Sequence, residues 1–175
     1  MERKPDTARD IIRHAHRLVS AIDRIADVTL REESDLPLSH FRVMLAVHKG
    51  LSLMSQQDIA SFWGITPAAV SRQIQILKKK GLVKEKVAGM GPTRLAPTRK
   101  HIIVLTPSGS QKMNKMFTII DRVFESAFSK ISEKDKATAV DTLIAMRRGL
   151  SDHPALKKLD ELCDVNKKRM AKLKT

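Results

Sequence analysis

The chain has one cysteine, Cys163, one tryptophan, Trp63, and no tyrosine, and aromatic residues make up only 3% of it. A lone cysteine excludes an internal disulfide framework, and no secretory apolar segment follows Met1, so the expected compartment is the reducing cytoplasm. So few aromatic rings argue against recognition of RNA or single strands, which relies on platforms for base stacking. No apolar run approaches the roughly 20 residues that cross a bilayer, and a membrane is not an expected partner. Glycine-rich phosphate loops, nucleophile elbows, HExxH and paired-cysteine motifs are also missing, so no catalytic residue is assigned and an enzyme is not expected. His14 and His16 stand two apart, on different sides of a helix and without ligand-spaced partners, and neither a metal nor a cofactor is expected. Acidic residues are the scarce charge: 19 Asp and Glu face 33 Lys and Arg, a formal net charge of +14 over 175 residues. That imbalance favours a polyanionic partner.

What is present is organised around Gln56 to Leu82. Ser55 and Asp58 have capping-box spacing, Ile59, Ala60 and Trp63 give an apolar face, and Gly64 supplies a positive-φ stop for a first short helix. Ile65 plugs a turn, Thr66 is a good N-cap and Pro67 suits the first position of a second helix. At a period of 3.6 residues, Val70, Ile74 and Leu77 share the inner face, while Ala68, Ser71, Arg72, Gln75 and Lys79 project from the opposite one. Small residues near the helix start let it approach a groove floor, and Arg and Gln can make paired hydrogen bonds to base edges. Lys78, Lys79, Lys80 and Gly81 close the helix, with cations at the negative end of its dipole and glycine at C′.

Leu82 to Val87 and Lys100 to Leu105 are short β-branched runs separated by Gly89, Gly91, Pro92 and Pro97, the pattern of a β-hairpin with a long loop. Between Thr66 and Lys100 the basic residues are Arg72, Lys78, Lys79, Lys80, Lys84, Lys86, Arg94, Arg99 and Lys100, against Glu85 alone. Helix, turn, helix and a basic hairpin follow the order of a winged helix, and the asymmetry of charge is a footprint for phosphate.

Three segments carry a resemblance to the MarR family of winged-helix regulators: LPLSHFRVMLAVHKG (36–50), ITPAAVSRQIQILKKKGLV (65–83) and IVLTPSG (103–109). The resemblance implies an obligate homodimer that places its recognition helices in successive major grooves and its wings in the flanking minor grooves. It also implies roles for Ser71 and Arg72, which fall on the family's serine-arginine pair, and for Arg99, which falls on the arginine of its Asp-x-Arg wing motif. Pro97 stands where that motif has aspartate, and the stretch from Val83 to Arg99 is several residues longer than usual. Phe62 occupies a position usually polar in the family, and packing beneath the long wing is the expectation for it. The family often senses a small, commonly anionic aromatic molecule between the winged region and the dimer helices. A small anionic or aromatic ligand is therefore implied, of unknown identity.

The rest of the chain supplies helices. A heptad-like stripe of Ile11, Ala15, Leu18, Ile22, Ile25 and Thr29 predicts a long helix to about Arg31, which must pack on other helices of its own chain or a partner. Leu36 and Pro37 break it, and Ser39 to Lys49 predicts the next, with Phe41, Met44, Leu45 and Val47 as core. Thr106 and Pro107 start a helix to about Lys130 with an apolar face of Met113, Met116, Phe117, Ile120, Val123, Phe124, Ala127 and Ile131. Ser132 starts another lined by Ala137, Val140, Leu143, Ile144 and Met146, and Ser151 or Asp152 a last one with Leu156, Leu159, Leu162 and Val165 on one side.

The expectation is one domain over 1–175, mainly α with a small β-hairpin wing. Dimerisation helices lie at 6–33 and 107–168, and a winged helix-turn-helix at 34–106. Its function is to bind double-stranded DNA as a homodimer at an inverted repeat and to repress transcription in response to a ligand. The expected DNA-binding residues are Thr66, Pro67, Ala68, Ser71, Arg72, Gln75, Lys79, Lys86, Arg94, Arg99 and Lys100. The alternative is a winged-helix module for non-specific DNA binding or protein interaction, without effector response.

Overall fold

A computed structural model describes residues 7–48, 56–87, 101–150 and 153. The elements, in order, are α1 (Thr7–Ser34), α2 (Leu38–His48), α3 (Gln56–Trp63), α4 (Pro67–Lys79), β1 (Val83–Val87), β2 (His101–Leu105), α5 (Pro107–Phe128) and α6 (Glu133–Gly149). The chain is thus mainly helical with one antiparallel hairpin, in which Val83 faces Leu105 and Val87 faces His101. The expected last helix beyond residue 153, Ser55, and the loop bearing Arg94, Arg99 and Lys100 lie outside the described residues.

Local signals set most boundaries. Gly64 and Gly81 have φ of 65° and 69°, the left-handed conformation that ends α3 and α4. Thr66 and Thr106 cap α4 and α5 in the same way: each side-chain oxygen accepts a first-turn amide, from Ala69 at 3.2 Å and Gly109 at 2.9 Å, with proline at the first helical position. Ser132 does the same for α6 by accepting the Asp135 N–H. Helix α2 has its cap supplied from another helix: the Asp27 carboxylate on α1 accepts the Leu38 N–H at 2.8 Å.

One core joins the inner faces of α1, α2, α4 and α5 to the hairpin, with Leu30, Val43, Met44, Val70, Leu77, Met113 and Met116 fully buried. Within its own chain the expected α1 stripe is mostly uncovered. Ala26, Leu30 and Ser34 are the buried positions of α1 and Ile22 is half-buried, whereas Ile11, Leu18 and Ile25 are exposed. The reason is geometric: Ile12 and Val19 continue the line of Ala26 at steps of seven, yet both are exposed because that part of α1 extends beyond the core of its own chain. Similarly, Phe124, Ala127 and Ile131 of the expected α5 face are exposed, and Ile119 is buried instead. No residue of α6 is buried.

Candidate nucleic-acid interface and ligand cavity

Val70, Ile74 and Leu77 hold α4 against the core, which fixes what its other face presents. Ala68, Arg72, Gln75 and Lys79 are exposed there, and Ser71 and Pro67 lie half-buried at its flank. The Thr66 hydroxyl oxygen is engaged as the cap of the helix, so its structural role is filled before any ligand arrives. Lys86 is exposed on β1, away from the helix start. Glu85, the lone acidic residue of the segment, pairs with Lys78 and so ties the hairpin to the end of α4. Lys80 pairs with Asp35 at 3.2 Å, across to the end of α1. Among the described residues, neither Arg72 nor Lys79 has an acidic partner. Phe62 is 41% exposed on α3 and meets the Trp63 ring edge-on at 4.9 Å. The wing expected to cover it lies outside the described residues.

The hairpin and α5 join at a tight junction. The Thr106 N–H donates to the Leu82 carbonyl at 3.0 Å and its hydroxyl donates to the Gly81 carbonyl at 2.7 Å. The segment 103–109 therefore acts as a clasp that sets the root of the hairpin against the last turn of α4.

An apolar cavity of about 260 Å³ lies behind the helix-turn-helix, between the winged region and the long helices, and its lining residues are what sequence reasoning did not reach. Its wall comes from α1 (Ile22, Asp23, Ala26), α2 (Leu38, Phe41, Arg42, Leu45), α3 (Trp63) and α5 (Phe117, Ile120, Asp121, Phe124). Phe41 and Phe117 meet edge-to-face at 5.5 Å. Arg42 donates to Asp23 at 2.6 Å, and its guanidinium carbon lies 5.4 Å from the centroid of the Trp63 ring. No sequence spacing could reveal this site, since its residues are gathered from four helices.

Charge links α1 to the rest of the chain elsewhere too. Arg122 donates to Glu33 at 2.5 Å and holds that carboxyl below its ordinary range. Burial alone would raise the Asp27 carboxyl, but the hydrogen bonds from Arg31 and the Leu38 N–H outweigh it and leave Asp27 lowered. His40, buried on α2 with neither ring nitrogen hydrogen-bonded among the described residues, is pushed down by desolvation and by the charges of Lys80 and Arg31.

A helix-turn-helix followed by an antiparallel hairpin and flanked by long helices is a winged helix-turn-helix protein. The sequence profile of the MarR family matches residues 34–89. No curated protein matches the chain by sequence. Among solved structures, the chain resembles Sco3205, a MarR-family transcriptional regulator from Streptomyces coelicolor in complex with DNA, at 15% identity over 87% of this chain and 94% of that one, TM-score 0.64. It also resembles Staphylococcus aureus MepR in its DNA complex, at 23% identity over 78% and 94% of the two chains, TM-score 0.60. CouR from Rhodococcus jostii RHA1 bound to p-coumaroyl-CoA aligns at 16% identity over 75% and 87%, TM-score 0.57. These likenesses establish the fold. Among the described residues, no helix is long and apolar enough to cross a membrane.

Proposed function

We propose that the protein is a sequence-specific double-stranded DNA-binding regulator that represses transcription from an inverted-repeat operator as a homodimer and responds to a small molecule. The carrying observation is the outward face of α4, where Ala68, Arg72, Gln75 and Lys79 are exposed while the opposite face is locked into the core. Small residues followed by amide and guanidinium groups are suited to a major-groove floor and its base edges, and Lys79 to phosphate. In this reading Thr66, Pro67 and Ser71 line the approach of the helix, and Lys86, Arg94, Arg99 and Lys100 serve the wing. Sco3205 and MepR, which share the fold, are both solved with DNA.

Dimerisation is supported by the apolar surface that one chain leaves uncovered: Ile11, Ile12, Leu18 and Val19 on α1, Phe124 and Phe128 on α5, and Val140, Leu143 and Ile144 on α6. Such a surface is characteristic of a site that meets another protein. Residues 6–33 and 107–168 are the proposed dimerisation helices around a winged region at 34–106. The cavity behind α3 is the proposed effector site.

The test is to sequence the genomic fragments retained by the purified full chain, and to compare duplex, single-stranded DNA and RNA by filter binding. An enriched inverted repeat with a preference for duplex is expected. Retention without sequence enrichment would leave a non-specific module, and equal retention of all three nucleic acids would overturn duplex recognition. Light scattering should give twice the chain mass of 19.6 kDa, and a monomer would remove the basis for a palindromic site.

A further inference from the structure

We infer that the cavity behind the helix-turn-helix takes an aromatic organic monocation, such as a quaternary ammonium, rather than an anion. This inference names the ligand class for the effector response proposed above and rests on that reading. The argument comes from the sign of charge left on the wall. Among the described residues, Arg42 is the one cation lining the cavity, and it is already neutralised by Asp23 at 2.6 Å and seated on the Trp63 ring. Asp121, on the facing helix α5, has no hydrogen-bond or ion-pair partner among the described residues. The lining therefore carries one carboxylate, on the exposed Asp121, without a partner among the described residues, together with the rings of Trp63, Phe117 and Phe124. A carboxylate with aromatic faces attracts a cation twice over, through Coulomb attraction and through the ring quadrupole. An anion entering the same space would meet Asp121, and the cation lining it, Arg42, is already paired with Asp23; the donor left to a ligand acceptor is the buried indole N–H of Trp63, which has no hydrogen-bond partner among the described residues. The net charge of +14 repels cations at long range, but screening over about 8 Å at physiological salt leaves the local groups to decide.

Trp63 is the only tryptophan of the chain and lines the cavity, so its emission reports occupancy directly. The probes are benzyltrimethylammonium and phenylacetate, which share a benzyl body and differ in the sign of the head group, titrated into the full chain without DNA at physiological salt. The ammonium is expected to change the emission saturably, and phenylacetate to bind much more weakly. Asp121→Asn should weaken the ammonium by about threefold to fivefold. Asp23→Asn should free Arg42 and give phenylacetate a saturable response. Phenylacetate binding to the unaltered protein as well as the ammonium does would overturn the inference, as would ammonium binding unchanged in Asp121→Asn, or no saturable response to either probe. The comparison on the unaltered protein requires no variant to fold. A separate filter-binding titration, with and without the ammonium, reads the DNA response. Absence of DNA binding in the titration without the ammonium, with ammonium binding intact, would strike the regulator reading alone, and DNA binding with no saturable ammonium response would strike the ligand class alone.

Discussion

A β-carbon placed on Gly109 would lie 1.9 Å from the carbonyl oxygen of Leu82. The first turn of α5 and the root of β1 thus approach at a distance that admits only glycine, while Thr106 bonds the same stretch of backbone from the side. Because the obstacle is backbone, it cannot swing away as a side chain would.

Gly109→Ala is therefore expected to cost about 2–3 kcal/mol, as overpacking a tight core does. Gly149, near the end of α6, has nothing within 4 Å of its would-be β-carbon, and Gly149→Ala should be neutral or stabilise by a few tenths to about 1 kcal/mol. Thermal unfolding of both at one protein concentration makes the comparison. Equal effects would mean that the Gly109–Leu82 contact relaxes freely.

The cap that α1 gives to α2 leads to a second expectation. Asp27 accepts the Leu38 N–H at 2.8 Å and Arg31 at 2.7 Å. Asp27→Ala removes both and should cost about 1 kcal/mol, the usual value of a lost N-cap. Asp27→Asn keeps an acceptor for the amide and should recover most of it. Its carboxyl is held low in the folded chain, so this stability is present above the ordinary carboxylate range and is lost as pH falls through the folded value. If denaturant midpoints showed Asn as damaging as Ala, the ion pair rather than the cap would be the stabilising part.

The parts legible in the sequence are those whose cause is local. Gly64, Thr66, Pro67 and Gly81 each determine the conformation of their own neighbourhood, so the bounds of α3 and α4 and the outward face of α4 could be read directly. Partners distant in sequence could not. The Asp27–Leu38 cap, the Gly109–Leu82 approach and the cavity depend on where whole helices come to rest. The intrachain face of α1 is hard to read for a chemical reason as well: beside Leu30 it uses small Ala26 and Ser34, whose hydroxyl donates to the Leu30 carbonyl at 2.6 Å. Ile11, Leu18 and Ile25 are those left uncovered.

His40 makes stability depend on mildly acidic pH. Burial, then the charges of Lys80 on α4 and Arg31 on α1, keep the ring neutral below its ordinary value of 6.5. In the unfolded chain it takes up a proton near that value, whereas the folded chain resists, so stability is complete above about pH 6.5 and declines as pH falls toward the folded value. The slope approaches about 1.4 kcal/mol per pH unit for one proton. Urea midpoints at a series of pH values should show this decline, and His40→Leu should flatten it. A variant with the same decline would assign the effect to other groups.

The three lysines that end α4 should contribute unequally to DNA binding. Lys78 is paired with Glu85 and Lys80 with Asp35, whereas Lys79, exposed between them on the face of Arg72 and Gln75, has no acidic partner among the described residues. A dimer that neutralises about six to ten phosphates should lose roughly three to five orders of magnitude in affinity between 50 and 200 mM salt. Lys79→Ala should weaken binding alike on every sequence and reduce the slope of log affinity against log salt by about one for each lost contact. Arg72→Ala should cost about 1–3 kcal/mol and, unlike Lys79→Ala, flatten discrimination among operators altered near the half-site centre. Lys78→Ala removes its pair with Glu85, one tie of the hairpin to α4, so its effect should appear in unfolding while the salt slope stays near that of the unaltered protein. Titrations of the three variants against centre-altered and flank-altered operators at several salt concentrations separate these roles. If Lys78→Ala and Lys79→Ala reduced the salt slope equally, the ion pair with Glu85 would not withhold Lys78 from phosphate. If Arg72→Ala weakened all operators by one factor, Arg72 would act as a phosphate contact and sequence reading would rest on Gln75 and the small residues at the start of the helix.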